Sequence, residues 1–217
     1  MTTTVSTPSS RNSGTRSLTY SIVKKIMDIT GALIGLCISL PFMAIIALAI
    51  KIESRGPVLF VQSRVGRDGK PFRMYKFRTM VNGAHLVRDE LVRQRELEEP
   101  VLKFHPDPRV TRVGRFLRRW SLDELPQLVN VLKGEMSLVG PRPEEPQIVE
   151  MYSAWHRQRL FMLPGVTGPM QVNGRANLPL DERVRLELDY LENASLWRDA
   201  QILMRTLGAV VSGDGSY

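Results

Sequence analysis

The stretch Arg118–Pro143, RRWSLDELPQLVNVLKGEMSLVGPRP, brings arginines, an acidic pair and a Pro-Arg-Pro corner into one short segment. Ser121-Leu122-Asp123-Glu124 has the form of a capping box, in which the serine caps and the glutamate three residues on bonds back. Pro126 needs a position whose N–H lacks an intrahelical partner, so the spacing predicts a helix beginning close to the pair. Leu125, Leu128, Val129 and Leu132 are its expected buried stripe. Two readings of Asp123 and Glu124 compete. As acids in a first helical turn they do no more than complement the dipole. As carboxylates at a helix start among cations they suit phosphate chemistry, because free N–H groups favour anions and hold an Asp pKa low.

The surroundings extend the second reading. Arg109, Arg112, Arg115 and Arg118 recur every third residue, and no acidic residue lies between Asp107 and Asp123. Such a row is either a solvated helix face or a surface for phosphates and lipid head groups. Arg142 is held between two prolines on a stiff backbone, which suits positioning on a phosphate better than a plain surface turn.

The N-terminal region has a different character. From Ile29 to Ile50 no residue is charged, and a helix of about 20 apolar residues spans a bilayer. Pro41 interrupts this run, with Ser39 just before it, and a helix-interior proline bends the axis. Both flanks are basic, with Lys24 and Lys25 before and Lys51 and Arg55 after. A spanning helix concentrates lysine and arginine on its cytoplasmic side, so basic residues on both flanks point equally to a segment whose two ends stay in the cytoplasm. Spanning and re-entrant readings both remain open on these residues. Residues 1–20 are rich in Ser and Thr, with hardly a large apolar side chain, and are expected to be disordered.

Between Lys51 and the acidic pair, Pro57–Val61 and Phe72–Tyr75 read as two strands of a hairpin joined through the Gly66–Gly69 turn. His85–Pro100, with Asp89 and Arg93 at i,i+4 spacing, reads as a solvated helix. Towards the C-terminus, Leu186, Tyr190, Leu191, Leu196, Trp197, Ile202, Leu203 and Leu207 predict two amphipathic helices broken near Asn193–Ser195, their apolar sides facing a core or a membrane interface. His85, His105 and His156 have neither ligand spacing nor a motif.

The chain has 217 residues, enough for one well-packed domain, and a net charge of +8. Its pI is near 10. That balance favours anionic partners: nucleic acid, acidic lipid or phosphorylated substrates. The one cysteine, Cys37, excludes an intrachain disulfide and reads as a small buried hydrophobe.

Five blocks in order resemble the small monotopic phosphoglycosyl transferases, within the bacterial sugar transferase family. They are KIMD at Lys25–Asp28, SRGPVLFVQSRVGRDGKPF at Ser54–Phe72, YKFRTM at Tyr75–Met80, DPRVTRVGRFLRRWSLDELPQL at Asp107–Leu128, and PGVTGPMQVNGR at Pro164–Arg175. The resemblance runs from about Lys24 to about Leu207. It implies an α+β monotopic membrane protein: a re-entrant membrane helix at 21–52 broken at Ser39 and Pro41, then a mainly helical catalytic domain with a short β-hairpin at 53–217. The family's break is a Ser-Pro pair, whereas here Leu40 separates the two residues.

The resemblance further implies that Asp123 attacks the β-phosphate of a UDP-sugar, releasing UMP, and that a polyprenyl phosphate then collects the phosphosugar. It gives Glu124, beside Asp123, a part in holding Mg²⁺, for which Mn²⁺ is an alternative. Arg118 and Arg142 supply positive charge, and Lys76 and Arg78 are placed near the substrate. Gln171, Asn173 and Arg175 become candidates for nucleotide or sugar contact. Pro169 stands where an aromatic residue is expected, so the contact there departs from the family's. The expected setting is the cytoplasmic face of a bacterial inner membrane, in the first membrane step of surface glycan synthesis, with homo-oligomerisation left open. Nucleic acid is not an expected partner. Two alternatives are a membrane-anchored nucleic-acid-binding module, which lacks any recognisable motif here, and a metal-dependent glycosyltransferase releasing UDP, for which no Asp-x-Asp-like element is found.

Overall fold

The computed structural model describes residues 18–84, 107–174 and 178–212. Helix α1 (Leu18–Glu53) begins earlier than the sequence suggested, so Leu18–Tyr20, expected in the disordered tail, are already helical. Residues 1–17 lie outside the described residues, as does the helix predicted over His85–Pro100. The predicted break at Ser39 and Pro41 does not occur, and α1 runs through Pro41 as one helix. Pro41 forfeits the bond to the Cys37 carbonyl. Packing on both sides of it, through Ala32 in one core and Ile46 and Ile50 in another, offsets that loss.

One face of α1, carrying Asp28, Ala32, Ser39, Ile46 and Ile50, is buried against the rest of the chain. Ala32 joins a core of Phe72, Met74, Leu128, Val131 and Met136. Ile46 and Ile50 join a second with Phe77 and Leu117. Gly31 permits close approach, since a Cβ there would sit 2.6 Å from the Leu138 side chain. The Asp28 carboxylate accepts the Leu138 N–H at 3.0 Å. The opposite face leaves Ile26, Leu33, Ile38, Leu40, Ile45 and Leu48 exposed. Cys37, expected to be buried, is exposed as well.

The hairpin forms, with longer strands than the sequence indicated. β1 (Leu59–Val65) pairs antiparallel with β2 (Pro71–Phe77). Asp68 and Gly69 turn the chain with positive φ. Helix α2 (Arg112–Arg119) follows, capped by the Thr111 hydroxyl, which accepts from Gly114 N–H at 2.9 Å. Then come α3 (Gln127–Leu132), β3 (Ser137–Val139), α4 (Pro146–Glu150), α5 (Ala154–Arg157), β4 (Gly165–Thr167) and α6 (Pro169–Val172). The parallel pairing of β3 with β4 was not legible in so short a pair of segments. Gly165 and Gly168 do more than turn the chain: a Cβ on either would collide with the Gly140 backbone, at 2.1 and 2.0 Å respectively. Their bareness lets this segment lie against the Pro-Arg-Pro corner. Helices α7 (Leu180–Glu192) and α8 (Leu196–Ser212) break where predicted.

Candidate active site

Asp123 and Glu124 do not open a helix. They lie in a single 3₁₀ turn, Leu122–Glu124, ahead of α3. Ser121 has φ 53°, a left-handed conformation uncommon outside glycine, and its side chain makes no cap bond. The capping-box reading is therefore overturned. Ser121 instead bends the chain sharply between α2 and the turn, with its N–H bonded to Arg118 O at 3.1 Å and its carbonyl accepting from Glu124 N–H at 3.2 Å. Such local strain gathers at functional sites. Behind the turn α3 is anchored by Asn130, fully buried, whose amide accepts from Tyr75 N–H and donates to Arg73 O at 2.7 Å. The buried positions of α3 are Gln127, Leu128, Asn130 and Val131, so polar anchors share the stripe expected to be leucine and valine alone.

Three of the expected cations converge on the acidic pair. Lys76 Nζ, on β2, donates to Glu124 Oε1 at 3.0 Å. Arg142 Nη1 reaches the same oxygen at 3.4 Å. Arg118 projects from the last turn of α2, where its charge acts on Asp123. Its Nε donates to Thr79 Oγ1 at 2.9 Å. This placement depends on Gly114, since a Cβ there would lie 2.0 Å from Thr79 O. It depends equally on Glu53 at the end of α1, which accepts the N–H groups of Arg112 and Val113 at 2.7 and 3.0 Å.

The two carboxylates differ sharply. Burial and the adjacent Glu124 charge push the Asp123 carboxyl up to about 6, against the pull of Lys76, Arg118 and Arg142. The low pKa expected of a helix-start Asp is thus not found, because the short turn offers no helix dipole and burial dominates. For Glu124 burial also acts upwards, but Lys76 and Arg142 outweigh it and hold the group at about 2. Among the described residues no hydrogen bond or ion pair holds the Asp123 carboxylate, whereas Glu124 is gripped twice.

The remaining candidates are dispersed. Arg78 is buried and turned to the end of α1, donating to Arg55 O and Ser54 O, both at 2.8 Å. Among the described residues none of its hydrogen bonds goes to the acidic pair. Of the arginine row, Arg109 pairs with Asp107 at 2.8 Å, Arg112 and Arg115 are exposed, and Arg118 turns towards the acidic pair. Asn173 donates to Pro169 O at 2.7 Å and accepts from Arg205 at 2.8 Å, which ties α6 to α8. Gln171, on α6, has both amide atoms buried and without a protein partner among the described residues. Arg175 lies outside the described residues. Sequence reasoning missed Glu187 and Arg159, which grip Arg142 from behind. The available signal was an acid on the apolar side of α7, next to Leu188 and in line with Val184.

The donor set suits a hard cation. Mg²⁺ takes one or two carboxylates and completes its octahedron with water and substrate phosphates, and Asp123 and Glu124 are two adjacent oxygen donors. Among the described residues no group of three or more His, Cys, Asp or Glu side chains gathers as an all-protein metal cage.

A family model described as bacterial sugar transferase matches residues 19–213. The galactosyl transferase CpsE of Streptococcus agalactiae is 42% identical over 201 residues, 91% of this chain and 44% of that protein. The undecaprenyl-phosphate galactose phosphotransferase of Salmonella typhimurium is 42% identical over 199 residues, covering 90% of this chain and 42% of its own length. The UDP-glucose:undecaprenyl-phosphate glucose-1-phosphate transferase of Caulobacter vibrioides is 41% identical over 202 residues, 89% of this chain and 72% of its own. The chain thus spans less than half the length of the first two relatives.

Proposed function

The chain belongs to the bacterial sugar transferase family, and from that premise we propose that it transfers a sugar-1-phosphate from a UDP-sugar to a polyprenyl phosphate, releasing UMP. The observation that carries this reading is the inequality of the acidic pair: Asp123 is half-buried and unengaged, beside a Glu124 clamped by Lys76 and Arg142. An Asp123 oxygen attacks the β-phosphorus, the bond from that phosphorus to the UMP oxygen breaks, and the phosphosugar stays on the carboxylate. An oxygen of the polyprenyl phosphate then attacks the same phosphorus and frees Asp123. Two steps let one site serve a soluble and a lipid substrate in turn.

Asp123 at about 6 remains mostly ionised at neutral pH yet is more basic than an ordinary aspartate, which favours attack. Arg118, Arg142 and Lys76 lower the repulsion between that anion and the diphosphate. Mg²⁺, when bound, would neutralise charge on the substrate diphosphate and on the departing UMP, with Glu124 and Asp123 as its protein donors. The pathway we infer is surface glycan assembly.

For the membrane, α1 is long and apolar enough to cross a bilayer by length and composition. Its contacts with the catalytic domain extend from Asp28 to Ile50. At about 1.5 Å per residue that is roughly 33 Å, the whole hydrocarbon thickness. A water-soluble domain attached along such a length argues against spanning. It supports α1 lying in one leaflet, on the cytoplasmic side where UDP-sugars are made, with its exposed apolar face towards lipid.

Incubation with UDP-sugar labelled in the sugar, without lipid, should leave an adduct on the peptide holding Asp123, and polyprenyl phosphate should discharge it with UMP as by-product. Release of UDP without an adduct would assign the chain to simple glycosyl transfer instead.

A further inference from the structure

Pro141-Arg142-Pro143 contains a single backbone N–H, because proline has none. Glu187, fully buried on α7, takes it: Arg142 N–H donates to Glu187 Oε1 at 2.9 Å. Arg159, 2% exposed, takes the other side of the same residue, its Nη2 donating to Arg142 O at 2.8 Å and to Glu187 Oε1 at 2.8 Å. Arg159 Nε lies 2.6 Å from Glu187 Oε2, off the hydrogen-bond axis. The Tyr152 hydroxyl and Glu144 complete the surroundings of Arg159. Around this grip Pro141 O accepts from Gly165 N–H at 2.8 Å, and Glu144 O accepts from Val65 N–H at 3.0 Å.

Burying an ion pair seldom adds net stability over well-packed apolar residues. Its presence here calls for another account, and both partners meet at Arg142, whose side chain, with that of Lys76, reaches Glu124. We propose that Glu187 and Arg159 are positioning residues: they fix the Arg142 peptide from both sides, so that its guanidinium is held over the acidic pair and the phosphates bound there. The proposal rests on the phosphoglycosyl transfer reading of that site. Neither residue touches the reacting atoms, and both act through Arg142.

A double-mutant cycle on the full chain tests this. Glu187→Gln and Arg159→Lys are each made in the natural sequence and in an Arg142→Ala background. UMP release is followed with UDP-glucose and UDP-galactose, and UDP affinity by calorimetry with Mg²⁺. Arg159→Lys keeps a cation beside Glu187 but lacks the planar fork that reaches Arg142 O, both Glu187 oxygens and the Tyr152 hydroxyl at once, so it stays informative where Glu187→Gln folds poorly. Arg142→Ala should cost on the order of 10²–10³-fold in kcat/KM. The two positioning substitutions should each cost about 10- to 100-fold alone. In the Arg142→Ala background they should cost less than about 3-fold, while lowering Tm equally in both backgrounds. Equal factors in the two backgrounds, or natural rates in a folded Arg159→Lys protein, would overturn the proposal. Loss of the Arg142→Ala effect itself would overturn the site reading beneath it. The UDP-affinity cycle decides the positioning role even where no UMP forms.

Discussion

Carboxylates meet arginines in two places here, and to opposite ends. In the knot around Glu187, a fully buried acid faces an almost fully buried arginine, and their charges are committed to each other and to backbone groups. At the Asp123–Glu124 turn the charges are unequally shared: Glu124 takes Lys76 and Arg142, and Asp123 is left with their field but none of their bonds. A pair locked to itself and to backbone groups rigidifies, whereas an acid without a bonded partner in a cationic field is ready for chemistry. The two regions are joined through Arg142, whose backbone belongs to the knot and whose side chain belongs to the turn.

The strongest attack on this contrast is Asp123→Asn. It should reduce turnover on the order of 10⁴-fold or more and abolish the labelled adduct. A near-natural rate would remove Asp123 as nucleophile. Next comes Glu124→Gln, expected to lose about 10²-fold, with the loss concentrated in the response to Mg²⁺ concentration. EDTA-resistant turnover would contradict the metal's role.

A smaller effect separates the neighbours by stability. The folded Asp123 carboxyl, at about 6 against an ordinary 3.8, binds its proton more tightly folded than unfolded. The ionised form therefore penalises the fold above about pH 6, and the penalty disappears as pH falls through 6 towards 4. Asp123→Asn should accordingly raise Tm at pH 7.5 and lose that gain by about pH 4. Glu124, at about 2 against 4.5, contributes stability above pH 4.5 that is lost as pH falls through 2. Glu124→Gln should lower Tm at pH 7.5. Shifts of the same sign for both variants would show that the pair shares its cations evenly.

The smallest expected effect concerns α1. Because α1 is already continuous through Pro41, Pro41→Ala should leave topology unchanged and stabilise modestly by restoring one backbone bond. Cysteines at Ser10 and Ser212 in a Cys37→Ala background should both resist an impermeant thiol reagent in intact cells, with or without Pro41. Labelling at Ser10 alone would establish a spanning helix.

What the sequence determined by itself was local. The uncharged run became α1, the Gly66–Gly69 turn closed the hairpin, and Asn193–Ser195 separated α7 from α8. Each follows from hydrophobic periodicity or from turn chemistry acting over a few residues. The ordered motifs also pointed to Lys76, Arg118 and Arg142 around the acidic pair, although not to which acid each would serve. Tertiary structure decided the rest. It turned Arg78 away to the end of α1, kept Pro41 from breaking the helix, put Ser121 in a left-handed bend where a cap was expected, and carried Glu187 and Arg159 to the back of Arg142. It also reversed the expected pKa of Asp123. These outcomes turn on desolvation and on charges a few ångströms apart in space but far apart along the chain, and Coulomb energy depends on that spatial distance and on the local dielectric, neither of which is written in any short stretch of sequence.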